Sequence, residues 1–295
     1  MTLPAGIDYE ALVNDLPVSR AGWTPDASRA AVLVHDLQNY FVTAYADGCP
    51  ALAGAIAATQ RVLRAARAAG VRVFYTAQQG DQDATERGLQ GELWGPGMRG
   101  VPEHTAIVAE VAPVDGEEVV AKHRYSAFAR TDLADRLVAD GRDQLILVGV
   151  YAHIGITATA LDAFQREIRP FVVADAVADL DADRHRGALE LIASCCGVVV
   201  RADDLIATLE AASTSGAGGW DGRIQAALTG LLRPEALDAF FADPESDLFA
   251  LGLDSLRAFD FLDALADDGL DVDFGAFTQS PTLNWLRRQA DSLAA

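Results

Sequence analysis

Residues 144–155 read Gln144-Leu145-Ile146-Leu147-Val148-Gly149-Val150-Tyr151-Ala152-His153-Ile154-Gly155. From 145 to 150 no polar side chain interrupts the run. A strand with one wet face alternates between apolar and polar residues. A short continuous apolar run instead marks a strand buried on both faces, the pattern of parallel sheets covered by helices.

Working outward, β-branched runs recur at 31–35, 71–76, 118–121, 170–174 and 197–200. Alanine-rich stretches with helical spacing lie between most of them, at 51–69, 132–139, 157–167 and 184–193. The alternation predicts an α/β fold of three layers, with a mainly parallel sheet between two layers of helices. Crossovers in such a sheet are right-handed, and ligands sit beyond the carboxyl ends of its strands. That rule directs attention to Asp36, Gln78, Lys122 and the segment 151–155, each expected at a strand end.

The chain has 295 residues, half of them hydrophobic, and a net charge of −20. It is long enough for two domains. Phosphate backbones attract Lys and Arg, so this charge argues against nucleic acid. The N-terminus lacks a basic region followed by an apolar run, so no signal peptide is expected. The longest apolar stretch, around 145–160, is too short and too polar to span a bilayer. Cys49, Cys195 and Cys196 show no disulfide spacing, which predicts a reducing cytoplasm.

Residues 211–219, Ala-Ala-Ser-Thr-Ser-Gly-Ala-Gly-Gly, read as a flexible linker. The expected domains are therefore 1–210 and 220–295. Past the linker the β-runs stop, and helical patterns appear at 223–232, 255–266 and 282–293, with a shorter one at 274–277. A small all-α, four-helix domain is expected, with Leu256, Phe259, Leu262 and Leu265 along one helix face, of which Leu256 and Phe259 would offer partner enzymes an apolar patch. This segment holds 14 acidic and 5 basic residues and no lysine. Such a domain suits docking onto basic patches of partner proteins.

Five motifs carry chemistry: His35-Asp36-Leu37-Gln38-Asn39-Tyr40-Phe41, Tyr75-Thr76-Ala77-Gln78, Leu93-Trp94-Gly95-Pro96-Gly97-Met98, Lys122-His123-Arg124-Tyr125-Ser126-Ala127-Phe128 and Gly149-Val150-Tyr151-Ala152-His153-Ile154-Gly155. From the residues alone, Asp36 beside Lys122 is either a plain ion pair or a proton-transfer pair. The five histidines show no metal-ligand spacing, so no metal is expected. Together and in order, from about residue 20 to 210, the motifs resemble the isochorismatase family.

Many members of the wider superfamily are amidohydrolases with an Asp, Lys and Cys triad. Here the position matching that Cys is Gly155. With no thiol or hydroxyl there, covalent acyl chemistry is not expected. The resemblance implies hydrolysis of the enolpyruvyl ether of isochorismate instead, which needs a general acid and no nucleophilic side chain. Asp36 is the expected acid. Lys122 either holds a substrate carboxylate or orients Asp36. By the same resemblance, Gln78, Arg87, Trp94, Tyr151 and the backbone near Gly155 would line the pocket. Arg87 would offer a planar fork to a carboxylate, and Trp94 would act as a lid. The resemblance also implies a cis peptide bond before Tyr151. His123 stands where relatives usually carry Trp, either as a surface histidine or as a modifier of substrate preference. His153, on the strand-to-helix turn, reads either as a residue that bonds backbone or as one that reacts.

The run Leu251-Gly252-Leu253-Asp254-Ser255-Leu256 resembles a phosphopantetheine carrier. A helix start there favours a phosphodiester. Read without the resemblance, Asp254-Ser255 is an ordinary N-cap worth about 1 kcal/mol. The whole chain resembles proteins that join an isochorismatase to an aryl carrier in catecholate siderophore pathways. That implies 4′-phosphopantetheine on Ser255, attached by a phosphopantetheinyl transferase. It also implies an aryl-acid adenylating enzyme, a condensation domain of a nonribosomal peptide synthetase, and a homo-oligomer through the first domain. Two alternatives stay open: the same chemistry on 2-amino-2-deoxyisochorismate, or an inactive scaffold fused to a carrier.

Overall fold

The computed structural model describes residues 3–11 and 15–292, without the side chains of 212–219 and 291–292. The chain divides into two compact units, Met1–Glu210 and Ala211–Ala295.

The first unit is built on six strands: β1 (Ala30–His35), β2 (Arg72–Gln78), β3 (Glu118–Lys122), β4 (Gln144–Val150), β5 (Arg169–Ala178) and β6 (Val198–Val200). All their pairings are parallel, in the order β3-β2-β1-β4-β5-β6. Every residue of β1 and β4 is buried, as the uninterrupted apolar run at 145–150 requires of β4. Successive side chains serve opposite faces. Val32, Val34, Ile146 and Val148 pack with the helix Pro50–Ala68, while Leu33, Leu145 and Leu147 pack with Leu133–Ala139, Thr157–Gln165 and Ala182–Cys195. The three-layer parallel fold expected from the sequence is what forms.

Pro50 opens its helix in the first turn, where a missing N–H costs nothing. Ala51, Ala55, Ala58, Val62 and Ala66 then recur at helical spacing and are buried. The strand order reverses between β1 and β4, which opens a crevice at their carboxyl ends.

The second unit is helical, with Pro234–Ala242, Ser255–Asp267, Phe274–Gln279 and Leu283–Ser292 around a core that includes Phe240, Phe261, Phe277 and Leu286. The four residues expected on one helix face divide into a buried pair and the exposed pair expected to meet partners. Helix Ser255–Asp267 buries Ala258, Phe261, Leu262 and Leu265, and leaves Leu256 and Phe259 exposed. A three-residue count drifts around a helix of 3.6 residues per turn, so the apolar residues at its start leave the buried stripe. Helix Pro234–Ala242 was not expected; it follows an Arg-Pro step and is short. The remaining helix assignment is Ala202–Leu228. The linker expected at 211–219 falls within it, and the side chains of 212–219 lie outside the described residues. Among the described residues no helix is long and apolar enough to cross a membrane.

Candidate active site

Four neighbouring strands deliver the site. Asp36 follows β1, Gln78 and Lys122 close β2 and β3 as register partners, and Tyr151 follows β4. Asp36 is one of few non-glycine residues with a left-handed backbone, at φ 49°. Its carboxylate is 2.8 Å from Lys122 Nζ, and both side chains are almost wholly buried, at 5% and 2% exposed. Thr76 donates its hydroxyl to Asp36 Oδ1 at 2.6 Å, and Gln78 Nε2 donates to Oδ2 at 3.1 Å. Lys122 also donates to the carbonyl of Arg124 at 2.6 Å.

Burial raises the Asp36 carboxyl, but the Lys122 ammonium and the hydrogen bonds outweigh it and hold the group below the ordinary aspartate value. Burial lowers the neighbouring His35 to about 4. At neutral pH His35 is therefore uncharged, and the operative cation beside Asp36 is Lys122. The His35 ring is tied at both nitrogens, Nδ1 to the carbonyl of Val150 at 3.0 Å and Nε2 to Thr159 Oγ1 at 3.2 Å.

The His35 ring also explains Gly155. Gly155 lies in a π-helical turn, Ala152–Ile156, that begins just past β4. A Cβ built on it would overlap the His35 imidazole, 3.0 Å from Nδ1 and 3.1 Å from Nε2 and closer still to Cε1. Since His35 is tied on both sides, position 155 has no room for a cysteine. The peptide bond Val150–Tyr151 is cis, and Tyr151 donates its hydroxyl to the carbonyl of Phe41 at 2.8 Å.

Across the strand ends lie two short helices, Ala84–Arg87 and Leu89–Trp94. Arg87 is buried and donates from Nε to the carbonyl of Gly95. Its burial lowers the guanidinium from the ordinary value, and the structure gives it no carboxylate partner among the described residues. Gly97, at φ +80°, leaves the space it needs: a Cβ there would lie 2.6 Å from the guanidinium. Trp94 donates its indole N–H to Tyr125 Oη at 2.7 Å.

These side chains enclose a cleft of about 540 Å³, counting space open to solvent. It brings together all the expected residues of this unit: Asp36, Gln78, Arg87, Trp94, Lys122, Tyr151 and Gly155. No cysteine, serine or threonine is among its lining residues. His123 does not line it. His153 does not line it either, and its backbone N–H and Nδ1 both meet the buried carboxylate of Asp179. Among the described residues no group of His, Cys, Asp or Glu is arranged to hold a metal ion.

Sequence reasoning missed Thr76, Tyr40, Gln90 and Tyr125. Thr76 and Tyr125 stood inside recognised motifs without a role. Gln90 stands four residues before Trp94 in the same helix, a spacing that puts the two on one face. A further signal was overlooked: Lys122 is the only lysine in the chain, against 22 arginines.

In the second unit, Gly252 turns at φ +104° just before the helix Ser255–Asp267. Asp254 caps that helix, accepting from the N–H of Leu256 at 3.1 Å and of Arg257 at 3.0 Å. Ser255 is exposed in the first turn, beside exposed Leu256 and Phe259. An accessible hydroxyl at a helix start suits a phosphodiester linkage.

Residues 30–204 match the isochorismatase domain, and residues 223–287 match the phosphopantetheine attachment site. The chain is similar to an isochorismatase of Bacillus subtilis (strain 168), 36% identical over 297 residues that span 96% of this chain and 93% of that protein. It is similar to enterobactin synthase component B of Escherichia coli (strain K12), 35% identical over 271 residues, 92% of this chain and 91% of that one. Among solved structures, a cysteine hydrolase from Pseudomonas syringae pv. phaseolicola shares the fold at a TM-score of 0.60 and 28% identity, over 66% of this chain and 98% of that chain.

Proposed function

The chain belongs to the isochorismatase family, and from that premise we propose that its first unit hydrolyses the enolpyruvyl ether of isochorismate while its second unit carries an aryl acid on Ser255. The chain is an isochorismatase-family hydrolase with a phosphopantetheine carrier domain. The observation that carries the reading is the buried Asp36–Lys122 pair in a cleft whose nucleophile position is blocked by His35. A site with a proton donor and no nucleophile suits addition of a proton and water, not acyl transfer.

The reaction takes isochorismate and water to 2,3-dihydro-2,3-dihydroxybenzoate and pyruvate. In the free enzyme Asp36 is ionised, held so by Lys122. The substrate enters with two carboxylates, one of them for the unpartnered fork of Arg87. Its negative charge and its displacement of water both raise Asp36, which takes up a proton. Asp36 then delivers that proton to the terminal methylene carbon, making a methyl group and an oxocarbenium ion. The Asp36 carboxylate, again charged, stabilises the cation beside it. Water adds to the cationic carbon and returns a proton to Asp36. The resulting hemiketal passes its hydroxyl proton to the ring oxygen as the carbon–oxygen bond breaks, releasing pyruvate and the diol. Thr76 and Gln78 keep the carboxylate aimed throughout. Lys122, bonded to both Asp36 and the Arg124 carbonyl, orients the acid.

Phosphopantetheine, when bound, supplies a thiol on a long arm that holds an acyl group as a thioester. Asp254 orders the helix start, and exposed Leu256 and Phe259 offer partners an apolar patch. A carrier domain implies a phosphopantetheinyl transferase and adenylating enzymes as partners. The aryl acid, the condensation domain of a peptide synthetase that consumes it, and a homo-oligomeric first unit are part of this reading. So is a reducing cytoplasm, which suits three free cysteines among the described residues.

Isochorismate in ¹⁸O-labelled water tests the chemistry. Water attack on the vinyl carbon leaves the diol unlabelled, whereas label in the diol would mean ring-carbon attack and sink the proposed route.

A further inference from the structure

Most polar groups that face the cleft are already engaged. Gln78 is spent on Asp36, Trp94 on Tyr125, and Tyr151 on the Phe41 carbonyl. Gln90 is not. It lines the cleft and is 8% exposed, yet its amide oxygen has no hydrogen-bond partner among the described residues. An unpaired buried amide is costly in a folded protein, and at a binding site it marks a bond left for the ligand. The position supports this reading. Gln90 and Trp94 stand four residues apart in the helix Leu89–Trp94 and both line the cleft, as does Arg87 at the end of the helix before it. Leu89 and Leu93 point the other way, at 76% and 58% exposed.

We propose that Gln90 is a specificity-determining residue that accepts a hydrogen bond from the ring hydroxyl of isochorismate. The inference rests on the hydrolase reading above and names which part of the substrate that site reads. An amide oxygen only accepts, and the substrate's carboxylates are ionised at neutral pH. The ring hydroxyl, next to the ether carbon, is therefore the only donor isochorismate brings. In 2-amino-2-deoxyisochorismate an ammonium takes its place. Gln90 thus sits where the two substrates differ: its neutral oxygen accepts from either donor, and a charge placed at this position would separate them.

The test measures pyruvate release from both substrates by the full-length wild type, Gln90→Met and Gln90→Glu, with melting temperatures for each. Gln90→Met keeps length and removes the acceptor, and it raises KM for isochorismate about tenfold while kcat stays nearly constant. Gln90→Glu keeps an acceptor and adds charge. It raises the ratio of kcat/KM for the amino substrate over isochorismate at least about tenfold, because a carboxylate favours an ammonium over a hydroxyl. Unchanged constants in folded Gln90→Met would overturn the proposal. So would an equal loss on both substrates in Gln90→Glu, which would mean the amide donates to a carboxylate instead. A wild type inactive on both substrates would overturn the hydrolase reading itself.

Discussion

Asp36 and His35 are adjacent, buried and opposite in behaviour. Asp36 is held ionised by Lys122, and His35 is held neutral by burial, at about 4. The His35 value makes a prediction about stability. Its unfolded value is about 6.5, so between that and about 4 the unfolded chain binds a proton that the folded chain does not. Stability is therefore full above pH 6.5 and falls as pH drops toward 4, by on the order of 3 kcal/mol for a gap of this size. Urea titrations across that window check it, and His35→Gln flattens the slope. His185, also lowered by burial, contributes in the same direction and survives that substitution. Lys122 offers a second check, because a chain with one lysine gives one side-chain ammonium signal by NMR. That signal is expected to be protected from solvent and to move in Asp36→Asn. A solvent-exchanged signal indifferent to Asp36→Asn would count against the pair. At this scale the site was legible wherever a residue stood in a motif at a strand end. Gln90 and the role of Thr76 were not, since an unpaired amide and a hydroxyl aimed at a carboxylate exist only in three dimensions.

Among the elements, the turn Ala152–Ile156 is the most constrained. Its glycine faces the His35 ring, and its start is held by the buried carboxylate of Asp179. Gly155→Ala and Gly155→Cys are both expected to lower stability by about 1–3 kcal/mol through overpacking. Gly155→Cys gains no thiol-dependent amidase activity, and an active thiol enzyme would show that His35 yields. In the second unit, Asp254→Ala removes two hydrogen bonds to the start of helix Ser255–Asp267. Thermal denaturation is expected to register a loss of about 1 kcal/mol. The strands were the most readable elements, because β1 and β4 are buried on both faces and their sequence must say so. The carrier helix was less so. The three-residue spacing grouped exposed Leu256 and Phe259 with buried Leu262 and Leu265, and it did not single out Ala258 and Phe261, which fill the core.

The molecule as a whole joins an isochorismatase-family unit to a helical carrier unit, and the residues proposed for the two chemistries do not overlap. The diol of the proposed reaction is not aromatic, so under the proposed reading an oxidation and an activation intervene before an aryl group reaches Ser255. Residues 1–210 alone are then expected to release pyruvate as the full chain does, and the full chain to gain mass on Ser255 with coenzyme A and a phosphopantetheinyl transferase. A mass gain that persists in Ser255→Ala would move the attachment site. The central claim is that Asp36 is the acid that protonates the vinyl ether. The most direct measurement is pyruvate release from isochorismate by wild type and Asp36→Asn, at equal concentration and with melting curves for both. Turnover by the wild type and a loss of about 10³-fold in folded Asp36→Asn are expected. Folded Asp36→Asn within tenfold of the wild type would contradict that claim.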